Sequence, residues 1–487
     1  MSLTTALGIA QSALRNTSRQ TSIVSRNVSD ASNPDYTRRM AVVTSTAPGA
    51  RSIDVQRAAN DLLFKNNLRA LASLTGQQTL YDGMERLGLS VNGIDNATSA
   101  ATAMGQLQQA LQTYSASPSN RNLAENAVDA ARNMVRTLND GTRAIQTFRA
   151  EMDSEIATAV GELNDLLSQF KDANTDIVAG TRNGRDVSES LDRRDALLKQ
   201  ISSLVSISTF TRSDNDVVIM TKDGATLFET IPRSVTFQPQ AIYSPGTTGN
   251  SVYIDGIPVI GGLGGNTSAS GKIAGLIQLR DGVADTMQSQ LDEIARGLIT
   301  AFAETDGTGG PLPPAAGLFT WPGAPAIPPA GTIVDGLAGQ IALNSAFDSD
   351  AGGDPTLLRD GGANGAGYVH NSTGGSSYSD LLLAYSNKLE QPIAFDASAA
   401  IGTTHSVMSF STNAIGWFEG VRKDASTAAE AKEALATRTA EALSNATGVN
   451  VDAEMSLLLD LEHTYEASAR LIRAVDEMLA SLLAAVR

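Results

Sequence analysis

Val451–Arg487 reads VDAEMSLLLDLEHTYEASARLIRAVDEMLASLLAAVR. Wound as a helix, it aligns Leu458, Leu461, Tyr465, Ser468, Ile472, Val475, Leu479, Leu482 and Val486 in steps of three and four. That spacing is the a/d seam by which one helix packs along another. A matching row stands at the other end of the chain. Leu3, Leu7, Ala10, Leu14, Thr17, Thr21, Val24 and Val28 step by four and three. The sequence therefore predicts two seamed terminal helices that pair and bracket everything between them. The competing reading is two ordinary helices of a globular core, because a/d rows also build bundles.

Charge agrees with pairing. Residues 1–39 carry five arginines against Asp30 and Asp35, whereas 451–487 carry three arginines against seven acids. Opposite charge on the two ends favours their encounter and register, although each exposed pair adds little energy.

Outward from the termini, composition bounds the rest. A chain of 487 residues exceeds what one hydrophobic core supports, so several domains are expected. Apolar residues at 42% and charged residues at 18% describe an ordinary soluble chain, and aromatics at 5% imply cores of small aliphatics. A net charge of −16 argues against nucleic acid and against an anionic membrane surface. No apolar run is long enough for a membrane span, so no membrane insertion is expected. The start, MSLTTALGIAQSALR, lacks the basic region, apolar core and cleavage site of a secretory signal, which on sequence chemistry alone points to the cytoplasm. Cysteine is absent, which excludes disulfides and thiolate metal sites.

Periodicity gives the element order. The first helix should stop near Ser29–Ser32, before the turn Asn33-Pro34-Asp35. Residues 40–55 read as extended, folded back at Pro48-Gly49. Residues 56–90 read as a helix whose apolar positions include Leu62, Leu68 and Met84. From Asn120 to about Val178 there is no proline and apolar residues recur helically, a stretch of roughly 90 Å at ~1.5 Å per residue. Residues 186–204 give another helix. The period then changes to strands over 205–260, with hairpin turns at Asp223-Gly224 and Asp255-Gly256. Helix returns over 272–304, and 306–376, rich in Pro and Gly, reads as a loop-rich insertion. Residues 378–390, 407–446 and the last segment are helical again. The expected fold is mainly α with β insertions: an elongated multi-domain rod with paired terminal helices, a long helical bundle and an outer β-rich domain. The expected domains are 1–45 with 447–487 (terminal helices), 46–204 with 270–304 and 377–446 (long helices), 205–269 (β-rich) and 306–376 (the insertion).

Catalytic and metal motifs are imitated but incomplete. His463-Thr464-Tyr465-Glu466 starts an inverted zinc-protease motif without its second histidine. Asp348-Ser349-Asp350 starts a calcium loop whose twelfth position is Arg359 in place of a bidentate glutamate. The glycine-rich stretch Gly361–Gly367 lacks the Lys-Ser/Thr of a phosphate loop. No Gly-x-Ser-x-Gly elbow occurs. No cofactor, metal ligand or catalytic residue is assigned. A competing reading places a hydrolase in 306–376 around Asp348, Asp350, Asp354 and Asp360, but flexible glycine-rich loops hold catalytic geometry poorly.

One set of motifs is complete. Asn27-Val28-Ser29-Asp30-Ala31-Ser32-Asn33-Pro34-Asp35-Tyr36-Thr37-Arg38-Arg39 resembles the shared N-terminus of bacterial flagellar axial proteins, with Asp35 where glycine is commoner. Gly448–Asp452 through Tyr465–Arg470 resembles their C-terminal tail. Two internal stretches are similar to segments of the hook-associated protein 1 family of the hook–filament junction. They are Leu191-Asp192-Arg193-Arg194-Asp195 and Gly271–Asp281, which contains Gly275, Arg280 and Asp281. The resemblance implies a structural subunit, not an enzyme. It implies export through the flagellar type III channel with help from an export chaperone, and a secreted, extracellular place on the flagellum. It also implies assembly into a tubular homo-oligomer that touches the hook protein and a second junction protein. The seams themselves, long and diluted by Thr17, Thr21 and Ser468, predict that both tails are disordered until assembly. The assembly interface would comprise Leu3, Leu7, Ala10, Leu14, Val24 and Val28 on one side and the Leu458–Val486 row on the other. The alternative within the structural class is another axial protein, a filament, rod or hook subunit.

Overall fold

A computed structural model describes residues 3–46, 50–259 and 268–485. Twelve helices and twelve short strands are found among them. The first elements are α1 (Leu3–Ser29), the antiparallel hairpin β1 (Arg39–Thr46) and β2 (Ala50–Arg57), and α2 (Asp61–Asn92). The expected Pro48-Gly49 turn lies outside the described residues. Asn60 starts α2 by accepting the Leu63 amide at 3.1 Å. Next come α3 (Ala100–Ala116) and α4 (Arg121–Arg182). Ser99 caps α3 through the Thr102 amide. With 62 residues α4 rises about 93 Å. The apolar positions read along it, from Val128 through Ile145 and Ile156 to Phe170, are buried, as its spacing requires. In α2, Leu62 and Leu89 near the two ends point out, 69% and 60% exposed.

After α5 (Ser188–Leu204), β3 (Ile207–Thr211), β4 (Val217–Thr221) and β5 (Thr226–Phe228) form one antiparallel sheet. β6 (Val235–Thr236) follows, and β7 (Val252–Ile254) pairs with β8 (Ile257–Val259) across the Asp255-Gly256 turn. Both residues of that turn have positive φ, the conformation a two-residue primed hairpin needs. Helix α6 (Lys272–Gln278) runs through a π-helical turn, Leu279–Val283, into α7 (Ala284–Ala301). The remaining elements are β9 (Phe319–Thr320), α8 (Leu337–Gln340), β10 (Ala342–Leu343), α9 (Leu357–Asp360), α10 (Asp380–Glu390), β11 (Ile393–Ala394), β12 (Thr404–His405), α11 (Val407–Thr447) and α12 (Val451–Ala485). The fold is mainly α with small antiparallel sheets. No helix among the described residues is long and apolar enough to cross a membrane.

Contacts divide the chain into two units. The first holds 1–74, 162–235 and 431–487; the second holds 75–161 and 236–430. The chain passes between them inside α2, α4 and α11 and again at Val235–Thr236. In the first unit the β3–β5 sheet packs on α4, where Phe170 meets Phe228 edge to face at 4.9 Å. In the second, Phe302 stacks on Tyr385 and meets Phe319 edge-on, both at 5.1 Å.

The segment 306–376 has little regular structure, as its Pro and Gly content requires, but it is not loose. Leu318, Phe319, Leu337, Ile341, Phe347 and Leu358 are buried. Acids on and after α7 hold it by its backbone. Glu304, 1% exposed, accepts the Ala363 amide at 2.9 Å and the Asn364 amide at 2.8 Å, and also the Asn364 side chain. Asp292 accepts the amides of Gly336 and Ala338 at 2.9 and 2.8 Å. Beyond the segment, Glu293 holds the β11–β12 turn in the same way: it accepts the Asp396 amide at 2.9 Å and forks with Arg296. A loop without ladders must satisfy its amides elsewhere, and buried carboxylates do so here. Asp348 and Asp350, which open the apparent calcium loop, face Arg132 at 2.7 and 3.4 Å, so that stretch is a salt-bridged turn.

Glu304→Ala leaves three donors without an acceptor and is expected to lower stability by about 3 kcal/mol, read from the urea midpoint. Burial pushes the Asp292 carboxyl up to about 7 against the three hydrogen bonds that lower it. The folded state then holds the proton more tightly than the unfolded chain does. The contribution of Asp292 is full below its ordinary value near 4 and lost as pH rises through about 7. Asp292→Asn is expected to flatten the stability–pH curve between those limits, measured by denaturation at fixed pH steps.

Candidate functional site: the paired termini and their polar clasp

The site sits in the first unit, where the two ends of the chain meet. Helix α1 packs antiparallel along α12, with Asn27 level with Glu454 and Ala10 near Ser468 and Leu471. The N-terminal row faces that contact. Ala10, Thr17 and Val24 are buried, and Leu7, Leu14, Thr21 and Val28 are half-buried. On α12, Leu461 and Val475 are buried, and Leu458, Ser468, Ile472 and Leu479 are half-buried. The row begins one turn earlier than the apolar residues suggest: Glu454, 1% exposed, occupies its first position. Two row members differ from expectation. Tyr465 is 49% exposed and Leu482 is 52% exposed. At the antiparallel register α1 runs out near Met478, so Leu482 has no partner turn to pack on. By the register that sets Asn27 beside Glu454, the turn opposite Tyr465 carries Asn16 and Thr17, both polar. The Leu3 side chain and Val486 lie outside the described residues.

A buried glutamate at the head of an apolar seam needs donors. The Asn27–Arg39 motif supplies them. Asn27, 1% exposed, donates its amide to Glu454 Oε2 at 3.1 Å and to the Arg39 carbonyl at 2.9 Å. Its carbonyl accepts the Tyr36 hydroxyl at 2.8 Å and the Arg39 amide at 3.1 Å. All of the side chain's main capacity is used, so no other residue type fits. Arg38 Nε reaches Glu454 Oε1 at 2.7 Å, and the Arg38 amide binds the Thr447 carbonyl at 2.8 Å. Asn33 makes the turn that allows this: it accepts the Asp35 amide at 3.0 Å, while Pro34 occupies the exposed corner.

Helix α5 anchors the clasp. Asp192 accepts Arg57 Nε at 2.8 Å and Arg39 at 3.3 Å, and Asp195 accepts the other arm of Arg57. Burial raises the Asp192 carboxyl, with Arg57 opposing. Burial likewise raises the Tyr36 phenol. Arg39 lies over the Tyr36 ring at 4.9 Å. Lys199 pairs with Asp35 at 2.7 Å. Leu191 is half-buried beside them. Arg194 turns the other way, to Asn174 Oδ1 at 3.1 Å, which also accepts the Val217 amide and so ties α5 to the β3–β5 sheet. The residues read as one motif thus do two jobs, Asp192 and Asp195 at the clasp and Arg194 at the sheet.

Gly275, Arg280 and Asp281 belong to the second unit. A Cβ on Gly275 would stand 2.9 Å from the Gly76 carbonyl, so glycine permits α6 to touch α2. Arg280, 1% exposed, donates to both oxygens of Asp281 at 2.9 and 2.6 Å and to the Asn250 carbonyl at 2.8 Å, and also pairs with Asp153. The Tyr243 hydroxyl donates to Asp153 at 2.7 Å, and burial raises that phenol. Every charge here is matched within the fold. No group of acids or histidines that could hold a metal occurs among the described residues. His463 is exposed on α12.

Comparison with known proteins follows the same division. Residues 91–317 match the flagellar hook-associated protein FlgK helical domain, and residues 442–485 match the flagellar basal body rod FlgEFG protein C-terminal region. Among solved structures, the flagellar hook junction protein FlgK from Burkholderia pseudomallei matches with a TM-score of 0.56 at 13% identity, over 78% of this chain and 99% of that one. No curated protein sequence matches significantly. The paired termini and the helical frame, with these matches, define an axial structural protein of the bacterial flagellum. Within that class, residues 91–317 are similar to the helical domain of hook-associated FlgK.

Asn27→Ala removes a donor from Glu454 and an acceptor from Tyr36 and Arg39. It is expected to cost about 2–3 kcal/mol, seen as faster amide exchange of α1 and α12 in assembled copies than in wild type, with the second unit unchanged.

Proposed function

We propose that this chain assembles, copy beside copy, into the short tubular segment that joins the hook to the filament. The observation that carries this reading is the α1–α12 pair. It brings both ends of the chain to one place, yet only Glu454, Leu461 and Val475 of α12 are buried there. A lone pair so lightly covered is marginal, since an isolated helix gains little stability without packing. Neighbouring copies would supply the missing burial at ~25 cal/mol per Å² of apolar area. Many identical weak contacts around a closed tube then add up.

In this reading the terminal domain, 1–45 with 447–487, forms the inner tube. The long helices, 46–204 with 270–304 and 377–446, surround it. The β-rich residues 205–269 and the segment 306–376 lie outward. Copies leave the cell unfolded through the flagellar export channel, escorted by a chaperone, which needs no cleaved signal and places the protein outside the cell. The tails gain their order on assembly. The partners are further copies, the hook protein below and a second junction protein above. The work is structural, with no catalytic step. The tail match is to rod proteins and is common to axial subunits; the match over 91–317 is the narrower one and favours the junction over rod or hook.

Two outcomes test this. Cells lacking the protein are expected to show bare hooks by electron microscopy and filament protein shed into the medium; filaments on intact hooks would refute the assignment. Leu461→Asp places a carboxylate in the seam, where Leu461 is 7% exposed, and is expected to abolish incorporation while the second unit keeps its fold.

A further inference from the structure

Helix α12 carries a second heptad row that α1 leaves uncovered. Leu457, Thr464, Leu471 and Met478 recur every seven residues, and Asp460, Ala467, Ala474 and Ser481 fill the positions between; all are exposed. The spacing is that of a helix-packing seam, and the small residues allow a close approach. Ile9 and Ala13 of α1 flank Thr464, Ala467 and Leu471 along a groove of ≈ 440 Å³. The groove continues along Ala474, Met478 and Ser481, where α12 alone lines it.

Charge says what covers it. Helix α1 contains no acid, and Arg15, Arg19 and Arg26 all stand on its exposed face. Between them the outer row of α1 is small and polar: Ser18, Ser22 and Ser25. The exposed surface of α12 carries six acids against Arg470 and Arg473. Within the chain these charges do not meet. Among the described residues no ion pair joins α1 to α12; Glu454 pairs with Arg38, beyond the end of α1, and Glu466 with Arg470 of its own helix.

We infer that the second row of α12 receives the basic outer face of α1 from a second copy. Each copy then offers one basic helix face and one acidic groove. The contact is head-to-side and repeats around a ring or helix; a two-fold contact would set acid against acid. This rests on the assembly reading above and names the surfaces that carry it. The Leu461–Val475 row is the contact within a chain, and the Leu457–Met478 row is the contact between chains.

Charge reversal tests the inference without touching either seam. One variant carries Arg15→Glu, Arg19→Glu and Arg26→Glu. Another carries Glu462→Lys, Glu466→Lys and Glu477→Lys. A third carries all six. All six sites are exposed, so circular dichroism of the purified chains should match wild type. Each half-reversed variant is expected to occupy isolated hook–filament junctions at least tenfold less than wild type, and the six-fold variant to recover. Wild-type occupancy by the half-reversed variants, or no recovery in the six-fold variant, overturns the contact. Absence of the wild-type chain from the junction overturns the functional reading and this contact with it. Because the chain has no cysteine, a second readout is clean. Ser18→Cys copies mixed with Ala467→Cys copies should give a mixed disulfide on assembly; disulfides between two Ala467→Cys copies alone would establish a two-fold tail contact instead.

Discussion

Glu454 is the point on which the two ends of the chain depend. It is a carboxylate almost without solvent, at the head of a row that is otherwise aliphatic. Such a group destabilises a helix contact unless donors are fixed around it. Asn27 and Arg38 are those donors, and they are fixed because Tyr36, Arg39 and the Asn33-Pro34 turn hold them. Asp192 and Asp195 then hold the arginines of that turn and hairpin. The interaction is thus a specificity device more than a source of stability: it sets which turn of α1 lies beside which turn of α12.

The rest of the seam is deliberately thin in the physical sense. Thr17, Thr21 and Ser468 stand where larger aliphatics would bury more surface. Under the proposed assembly, that weakness suits a chain that becomes ordered only among its copies. The second unit is built the opposite way. There Arg280, Asp153, Arg149 and Glu304 are matched inside the fold, and the loops of 306–376 hang on buried carboxylates.

Much of this was legible in the sequence. The unbroken helical period over α4, the hairpin turns at Asp223-Gly224 and Asp255-Gly256, and both seams follow from spacing alone, because burial of one face imposes its period on the residues. Two separate motifs named Asn27 and Tyr36 near the N-terminus and Asp192 and Asp195 on α5, without linking the two. What spacing could not give is which polar residue meets which across hundreds of positions. Glu454 is hidden as a seam member because apolar spacing alone marks a row; its place, seven residues before Leu461, is the available signal. Tyr465 and Leu482 were overcounted for the same reason, since an apolar residue at the right phase stays exposed when the partner helix is polar there or has ended. The order of 306–376 was hidden because its amides are satisfied by acids on α7 and not by local pattern.

Completion of the terminal pair by other copies is the central physical claim. Hydrogen exchange of the α1 and α12 amides measures this directly, in the free chain and in the assembled junction. Fast exchange in the free chain with at least a hundredfold slowing on assembly is the expected result, roughly 3 kcal/mol of added protection. Slow exchange of both helices in the free chain, unchanged on assembly, would contradict it.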